Sequence, residues 1–118
     1  MTTQEIANRL YELGKQGQFE TAQDELFSDD ATSTESNMQG EIETAKGMDA
    51  IKEKGKKFQS MLEEMHSAYT NEPKVFGKYI FMEMGLDATM KKMGRMNMNE
   101  MCLYETKDGK IISERFFY

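Results

Sequence analysis

The sequence has little of what metal, redox and disulfide chemistry requires. Its 118 residues include one histidine, His66, and one cysteine, Cys102. These two residues lie far apart in the chain and do not form a zinc signature, and a single cysteine excludes an intramolecular disulfide. No glycine-rich phosphate loop or serine nucleophile motif is present. We therefore expect no metal, no cofactor and a reducing compartment, the cytoplasm.

Long apolar runs and an excess of basic residues are also lacking. The longest apolar stretches, 79–82 and 101–104, are four residues each, whereas a membrane-spanning helix needs about 20. The first ten residues, MTTQEIANRL, lack the basic and apolar regions of a secretory signal. The formal net charge is −6, and nucleic-acid-binding surfaces are basic. We expect no membrane and no nucleic acid as partners, and one domain over residues 1–118.

The N-terminal half has the periodicity of helices. Thr2 and Glu5 have the spacing of a capping box, and the apolar residues that follow recur at helical intervals. The pattern predicts helix, helix, short strand and helix, at about 2–14, 19–28, 31–35 and 48–64. The polar segment 37–45 is predicted to be a loop or a poorly packed flap. Four lysines of the third helix form either an anion site or a solvated face: Lys52, Lys54, Lys56 and Lys57.

From residue 66 onwards the period changes to two, which is typical of strands. The pattern predicts strands at 66–76, 78–90, 96–107 and 110–118, with a two-residue hairpin turn at Asp108-Gly109. Helices and strands that are segregated along the chain favour an α+β fold over a parallel sheet. The long, curved sheet needs a cover on one face, and three amphipathic helices can supply it.

Strict alternation from the hairpin turn predicts which side chains share a face. It places four candidate ligand-binding residues together: Glu100, Tyr104, Arg115 and Phe117. They form either the polar wall of a pocket or, for Glu100 and Arg115, a structural ion pair. The opposite face then carries an apolar patch that includes Phe116, so we expect a two-fold homodimer with Phe116 near its centre. The alternative is that this patch packs on the helices.

Three stretches carry a resemblance to a known family: DELFSDDATSTE (24–35), KGMDAIKEKGKKFQ (46–59) and GRMNMNEMCLYETKDGKIISERFFY (94–118). They resemble SnoaL-like proteins of the nuclear transport factor 2-like superfamily, which includes the ketosteroid isomerases. The resemblance implies a cone-shaped barrel of curved antiparallel sheet around three helices, with an apolar pocket at its open end. It also implies dimerisation through the outer sheet face.

The resemblance to ketosteroid isomerases implies a catalytic base. The DDAT stretch aligns the base position with Glu35, and a carboxylate whose pKa is raised by a dry pocket can abstract a proton next to a carbonyl. The oxyanion tyrosine of those enzymes aligns with Leu10, and their second acid falls near Met101 or Cys102. His66 is the second catalytic candidate because its side chain titrates near neutral pH; otherwise it is a histidine satisfied by the backbone at a strand start.

Three functions follow from these observations. The first is a protein that binds a hydrophobic small molecule without catalysis, and the second is an isomerase, cyclase or lyase that uses Glu35 as general base. The third is a structural or interaction dimer whose cone is filled by side chains. The 12 methionines suit either a filled core or an adaptable ligand wall. Glu35 and His66 in one cavity would favour the enzyme.

Overall fold

The computed structural model describes residues 1–37 and 39–118. Three helices and seven strands occur in the order α1 (Thr3–Lys15), α2 (Phe19–Leu26), β1 (Phe27–Ser36), β2 (Ile42–Lys46), α3 (Met48–Met61), β3 (Leu62–Thr70), β4 (Lys74–Phe76), β5 (Tyr79–Met90), β6 (Gly94–Lys107) and β7 (Lys110–Phe117). No helix within the described ranges is long and apolar enough to cross a membrane.

The strands form one curved, mixed sheet. Their spatial order is β2-β1-β7-β6-β5-β3, and β4 pairs with the start of β5. All neighbours are antiparallel except β1 and β7, which are parallel. The α+β class and the cone-shaped architecture are confirmed. We call the sheet face that packs on the helices the inner face, and the opposite face the outer face.

The core lies between the helices and one end of the inner face. Helix α1 begins at the predicted capping box, in which the Thr2 hydroxyl accepts from the Glu5 N–H at 3.1 Å and the Glu5 carboxylate accepts from the Thr2 N–H at 2.8 Å. The buried residues of the core include Ile6, Leu10, Leu13, Leu26, Ile51, Ile80, Met82 and Ile111. From Met84 towards the end of β5, two of the inward side chains, Met84 and Leu86, are only half-buried. The inner face is therefore less completely covered there.

The largest differences from the predicted elements are two. Smaller ones are that β1 begins at Phe27 and not at residue 31, and that α3 ends at Met61 and not at residue 64. Residues 42–46 were expected in a loop or flap, but they form β2, which pairs along the edge of β1. The sequence IETAK hides this strand because four of its five side chains are exposed, so it lacks an apolar alternation. The strand predicted over 66–76 is two strands, since β3 ends at Thr70 and β4 starts only after Pro73, whose ring removes a ladder hydrogen bond.

The β6–β7 hairpin has the predicted turn but not the predicted register. Asp108 and Gly109 both have positive φ, 52° and 79°, as a type I′ turn requires. A β-bulge follows, because Thr106 pairs with Ile111 whereas Glu105 pairs with Ser113. Ile112 is the extra residue. Every side chain of β7 after it therefore points to the face opposite the one that strict alternation predicts.

The bulge corrects the predicted grouping. Tyr104 pairs with Glu114 and Cys102 with Phe116, so Glu114 and Phe116 face inwards. Arg115 and Phe117 lie on the outer face, where they pair with Leu103 and Met101. The predictions that Arg115 and Phe117 share a face with Glu100 and Tyr104, and that Phe116 is central to an outer patch, are wrong.

Candidate functional site

A group of polar side chains meets on the inner face, and we call it the inner polar cluster. It is contributed by β1, by α3, by β6 and by the end of the chain from β7 onwards. Its members are Ser33, Glu35, Lys54, Glu100, Glu114 and Tyr118. Alternation along β1 points Ser33 and Glu35 to the same side, and the parallel pairing of Ser33 with Glu114 places β7 beside them.

Lys54 is the cation of this cluster. Its ammonium donates to the Ser33 hydroxyl at 2.7 Å and lies 3.3 Å from a carboxylate oxygen of Glu35. It also lies 5.1 Å from the centroid of the Phe116 ring, within cation–π distance. Lys54 reaches inwards because Ile51, one turn earlier on α3, is the buried anchor of that helix.

Glu35 is held from two sides. Besides the Lys54 ammonium, its second carboxylate oxygen accepts a hydrogen bond from the Tyr118 hydroxyl at 2.9 Å. The Glu35 side chain keeps 27% of its surface exposed. The predicted base thus lies at the boundary between the cluster and solvent, with its orientation fixed by a cation and a hydroxyl.

Two carboxyl groups of the cluster titrate far from their usual range. Burial, with the charge of Glu35 as a second cause, raises the pKa of Glu100 to about 7. Burial also raises the pKa of Glu114 to about 7, although the nearby Ser33 hydroxyl and Lys54 ammonium act in the opposite direction. Since one lysine faces three carboxyl groups, a buried carboxylate here lacks full compensation. Both groups therefore exchange protons near neutral pH.

The strand β6 adds two further groups beneath the cluster. The Cys102 thiol lies 3.9 Å from a carboxyl oxygen of Glu100, and burial raises its pKa. Burial likewise raises the pKa of Tyr104, whose ring packs edge-to-face on Phe27 with centroids 6.5 Å apart. The thiol is thus kept protonated and is a poor nucleophile.

A cleft of about 280 Å³ opens at the ends of β1 and β7. Its walls include Glu35, Phe116 and Tyr118 from the inner side, together with Arg115 and Phe117 from the outer side. The Arg115 guanidinium lies 5.0 Å from the centroid of the Phe117 ring. The cleft therefore combines one carboxylate, one guanidinium and one phenol with aromatic walls, which is the composition of many ligand sites.

The structure brings together some predicted site residues and separates others. Glu35, Glu100 and Tyr104 lie on the inner face, and Arg115 and Phe117 approach Glu35 only at the rim of the cleft. His66 is exposed on β3, where its Nε2 atom lies 2.8 Å from the Thr89 hydroxyl. Thr89 lies on the same outer face of β5 as Phe81, so His66 does not share a cavity with Glu35.

Four members of the cluster were missed or misplaced by sequence reasoning. Glu114 and Tyr118 were assigned to the opposite face because the bulge at Ile112 leaves no mark in the alternation. Ser33 was not singled out, and Lys54 was indistinguishable from its neighbours. One signal was available: Lys54 follows Ile51 by three residues, whereas Lys52 and Lys56 do not share that helical face.

The structure also shows the two positions that align with the oxyanion tyrosine and the second acid of the ketosteroid isomerases. Leu10 is a core residue with 3% of its surface exposed. Glu100 lies two residues before Cys102 on the same face, so an acid is present near that strand position. Within the described residues no group of three or more His, Cys, Asp or Glu side chains could hold a metal ion.

Comparisons with known proteins place the chain in a family. A family model described as the SnoaL-like domain matches residues 1–118. A protein of Mesorhizobium loti, provisionally assigned as a SnoaL-like polyketide cyclase, has 36% sequence identity and a TM-score of 0.91, and the alignment covers 100% of both chains. The comparison with curated proteins found no match.

More distant solved structures share the fold. A protein of Catenulispora acidiphila with a ketosteroid isomerase-like fold, solved in complex with trimethylamine, has 21% identity and a TM-score of 0.73, with 99% of this chain and 87% of that chain covered. TerC, co-crystallised with polyporic acid, has 15% identity and a TM-score of 0.75, with 98% and 90% covered. Because the family model matches the full length and the Mesorhizobium loti protein is 36% identical over both chains, the chain belongs to the SnoaL-like family.

Proposed function

We propose that this protein binds a small hydrophobic molecule through a carbonyl or hydroxyl group, at the inner polar cluster. The observation that carries this proposal is the Glu100 carboxyl group, which is only partly buried and has a pKa raised to about 7. A carboxyl group that is partly protonated at neutral pH can either donate to or accept from a ligand oxygen.

The surroundings of Glu100 supply an apolar wall for such a ligand. Met84 pairs with Glu100 across the β5–β6 ladder, and Leu86 pairs with Met98 on the same face. All three apolar side chains are half-buried, and methionine adapts to irregular ligand shapes. The co-crystal of TerC with polyporic acid supports a ligand that combines a hydrophobic body with polar oxygens.

The test is a binding screen followed by matched variants. Polyporic acid and a panel of hydrophobic carbonyl compounds are expected to raise the melting temperature of the wild-type protein. In Glu100→Leu the affinity of a hit should fall about tenfold or more, because the hydrogen bond to the ligand oxygen is lost. Glu105→Leu, on the outer face of the same strand, is the control and should bind normally. No hit in the panel, or equal affinity in both variants, would contradict the proposal.

Acid–base catalysis on the bound molecule is the second candidate. It is favoured by the proximity of Glu35, a carboxylate paired with Lys54, to Glu100, a carboxyl group that is protonated for part of the time near pH 7. Such a pair provides a base and an acid in one site. For a hit from the screen, solvent hydrogen exchange next to its carbonyl should be accelerated by the wild type and not by Glu35→Gln. Equal exchange rates in both proteins would refute catalysis by Glu35, and only the binding function would stand.

We also propose that the protein forms a homodimer through the outer face. The support is a set of exposed apolar side chains on that face, Phe81, Met101 and Phe117, whose exposed fractions are 38%, 43% and 44%. Phe81 pairs with Leu103, and Met101 pairs with Phe117, so the patch crosses three adjacent strands. A two-fold contact would bury both copies together.

A further inference from the structure

We propose that Lys54 is a specificity-determining residue that makes the inner polar cluster bind the anionic form of an acidic enol or phenol, with uptake of one proton by Glu100. This proposal deepens the function proposed above and rests on it. It names the charge state of the ligand, the residue that selects that charge and the group that compensates it.

The first evidence is the set of hydrogen-bond partners of the Lys54 ammonium. An ammonium has three N–H donors, and in this structure Ser33 at 2.7 Å and Glu35 at 3.3 Å account for two of them. The Lys54 side chain is 30% exposed, and we assign its third donor to the ligand. Within the described part of the chain, Lys54 is the one lysine or arginine with a salt bridge to the inner polar cluster.

The positions of other cations reinforce this assignment. Lys52 on α3 pairs with Asp24 and Glu20 on α2. On the strands, Arg95 pairs with Asp87 and Lys78 pairs with Glu105. Each of these acids lies outside the cluster. A ligand oxyanion at the inner face therefore meets Lys54 as its cation, with Arg115 available only at the rim of the cleft.

An organic cation fits the same place less well. The aromatic ring that faces the cluster, Phe116, already lies 5.1 Å from the Lys54 ammonium. A second cation on that ring would adjoin a like charge, and like charges at short range repel strongly in a partly desolvated site. Glu100 and Glu114 each hold a proton for part of the time near pH 7, so they attract a cation less strongly than ionised carboxylates would.

Charge balance requires the proton. With Glu100 ionised, the charges of Lys54, Glu35 and Glu100 sum to −1. An added anion would bring this sum to −2, and a proton on Glu100 returns it to −1. Glu100 can take a proton from solvent onto one carboxyl oxygen, and its O–H can then donate to the ligand oxygen. Ligand anion, solvent proton and Glu100 carboxylate become a bound anion and a neutral Glu100.

Several other groups face Glu100 and enter the same titration. From β1 this is Glu35, whose own cross-strand partner on β2 is Glu43, and from α3 it is Lys54. From β6 and the end of the chain they are Cys102, Tyr104, Glu114 and Tyr118. Burial raises the pKa values of the thiol and of both phenols, so the carboxyl groups are the ones that exchange protons near pH 7.

The test compares two probes of similar shape, which differ by one methyl group, by isothermal titration calorimetry. 2-Hydroxy-1,4-naphthoquinone is an acidic enol and an anion at neutral pH, whereas 2-methoxy-1,4-naphthoquinone has no acidic proton. The wild type should bind the hydroxy compound at least tenfold more tightly. Lys54→Met should remove that preference with little effect on the methoxy compound, and Lys54→Arg should restore most of it. Lys56→Met, an exposed site on the same helix, is the matched control.

Proton uptake is measured in the same experiment. The binding enthalpy of the hydroxy compound should differ between phosphate and Tris at pH 7, which reveals up to one proton taken up, and this difference should shrink in Glu100→Gln. Affinity should fall as the pH rises from 6 to 8, by at most about tenfold per pH unit for one proton.

Four results would overturn the inference. Equal affinity for the two quinones, or a preference that persists in Lys54→Met, would refute the role of Lys54 while leaving the proposed function intact. Tighter binding of 1-naphthylmethylamine, a cation of similar size, would reverse the charge assignment. If neither quinone nor any compound of the earlier screen binds, the inference and the proposed function are both wrong.

Discussion

Asp87 and Glu100 are acidic residues on neighbouring strands that differ in the face of the sheet they occupy. On the outer face, Asp87 accepts two hydrogen bonds from the Arg95 guanidinium, at 3.0 and 2.9 Å, which lowers its pKa. On the inner face, burial and the nearby Glu35 raise the pKa of Glu100 to about 7. Both side chains are carboxylic acids, so the opposite directions of their pKa shifts follow from burial and from the neighbouring charges.

The same contrast holds for apolar residues along β5. Ile80 and Met82 face inwards and are fully covered by helices, whereas Phe81 between them faces outwards and is 38% exposed. The two faces thus divide the work of the sheet. The inner face supplies the core and the candidate site, and the outer face carries exposed side chains and the proposed interface.

A charge placed on either face gives the largest expected difference. Met82→Lys should destabilise the protein by several kcal/mol, because it buries an unpaired ammonium in the core. In the Phe117→Glu background, which removes the proposed dimer, Phe81→Lys should cost about 1 kcal/mol or less, since its ammonium reaches solvent. Urea denaturation measures both. Equal losses of stability would mean that the two faces are not distinct.

The buried acid Glu114 gives the next largest effect, and the effect depends on pH. Its pKa is raised from 4.5 to about 7 in the folded state. Between these values the folded protein holds a proton that the unfolded chain releases, so stability falls as the pH rises through this window and remains low above it.

The variant Glu114→Gln should remove this contribution. We expect little change in the free energy of unfolding at pH 5 and a gain of about 2 kcal/mol relative to the wild type at pH 8. Glu105→Gln, an outer-face glutamate whose partner is Lys78, should show less than about 0.5 kcal/mol at either pH. A Glu114→Gln variant that is equally stabilised at pH 5 would argue against titration as the cause.

The proposed interface on the outer face is tested by Phe117→Glu. If the dimer forms there, a charge in the apolar contact should weaken association by about a hundredfold, and light scattering should show a mass near 13.6 kDa instead of twice that value. Phe19→Glu is the control, because Phe19 on α2 is 43% exposed, close to the 44% of Phe117. A monomeric wild type at micromolar concentration would refute the dimer.

The smallest expected effect concerns the hydrogen bond that fixes Glu35. Tyr118→Phe removes the donor to Glu35 and should cost about 1 kcal/mol or less at neutral pH, because the group is largely exposed. Tyr79→Phe on the outer face is the control. In the proposed enzyme, Tyr118→Phe should also reduce Glu35-dependent hydrogen exchange of a bound ligand. A cost well above that of a single hydrogen bond would indicate that Tyr118 has a larger structural role.

Much of the fold could be predicted because its local signals are strong. The capping box at Thr2 and Glu5 and the turn at Asp108-Gly109 are short-range features, and the structure confirms both. The change of period at the middle of the chain predicted the α+β class. The edge strand β2 could not be predicted, since a strand that is mostly solvated needs no apolar alternation.

The candidate site was harder to predict, for two physical reasons. A bulge adds one residue to a strand without changing its composition, and Ile112 therefore moved Glu114, Phe116 and Tyr118 to the inner face and Arg115 and Phe117 to the outer face. Burial of an acid such as Glu114 also looks unfavourable from sequence, because acidic residues are rarely buried. Only the three-dimensional contacts with Ser33 and Lys54 explain it.

The most direct test of the inner polar cluster is a titration of glutamate carboxyl groups by carbon-13 NMR, with signals assigned through Glu100→Gln and Glu114→Gln. We predict that two carboxyl groups titrate at about pH 7 and that each of these variants removes one of them. In Lys54→Met, which keeps both glutamates, the two pKa values should rise further. If every glutamate titrates below about pH 5.5, the cluster is solvated and the account of the site is wrong.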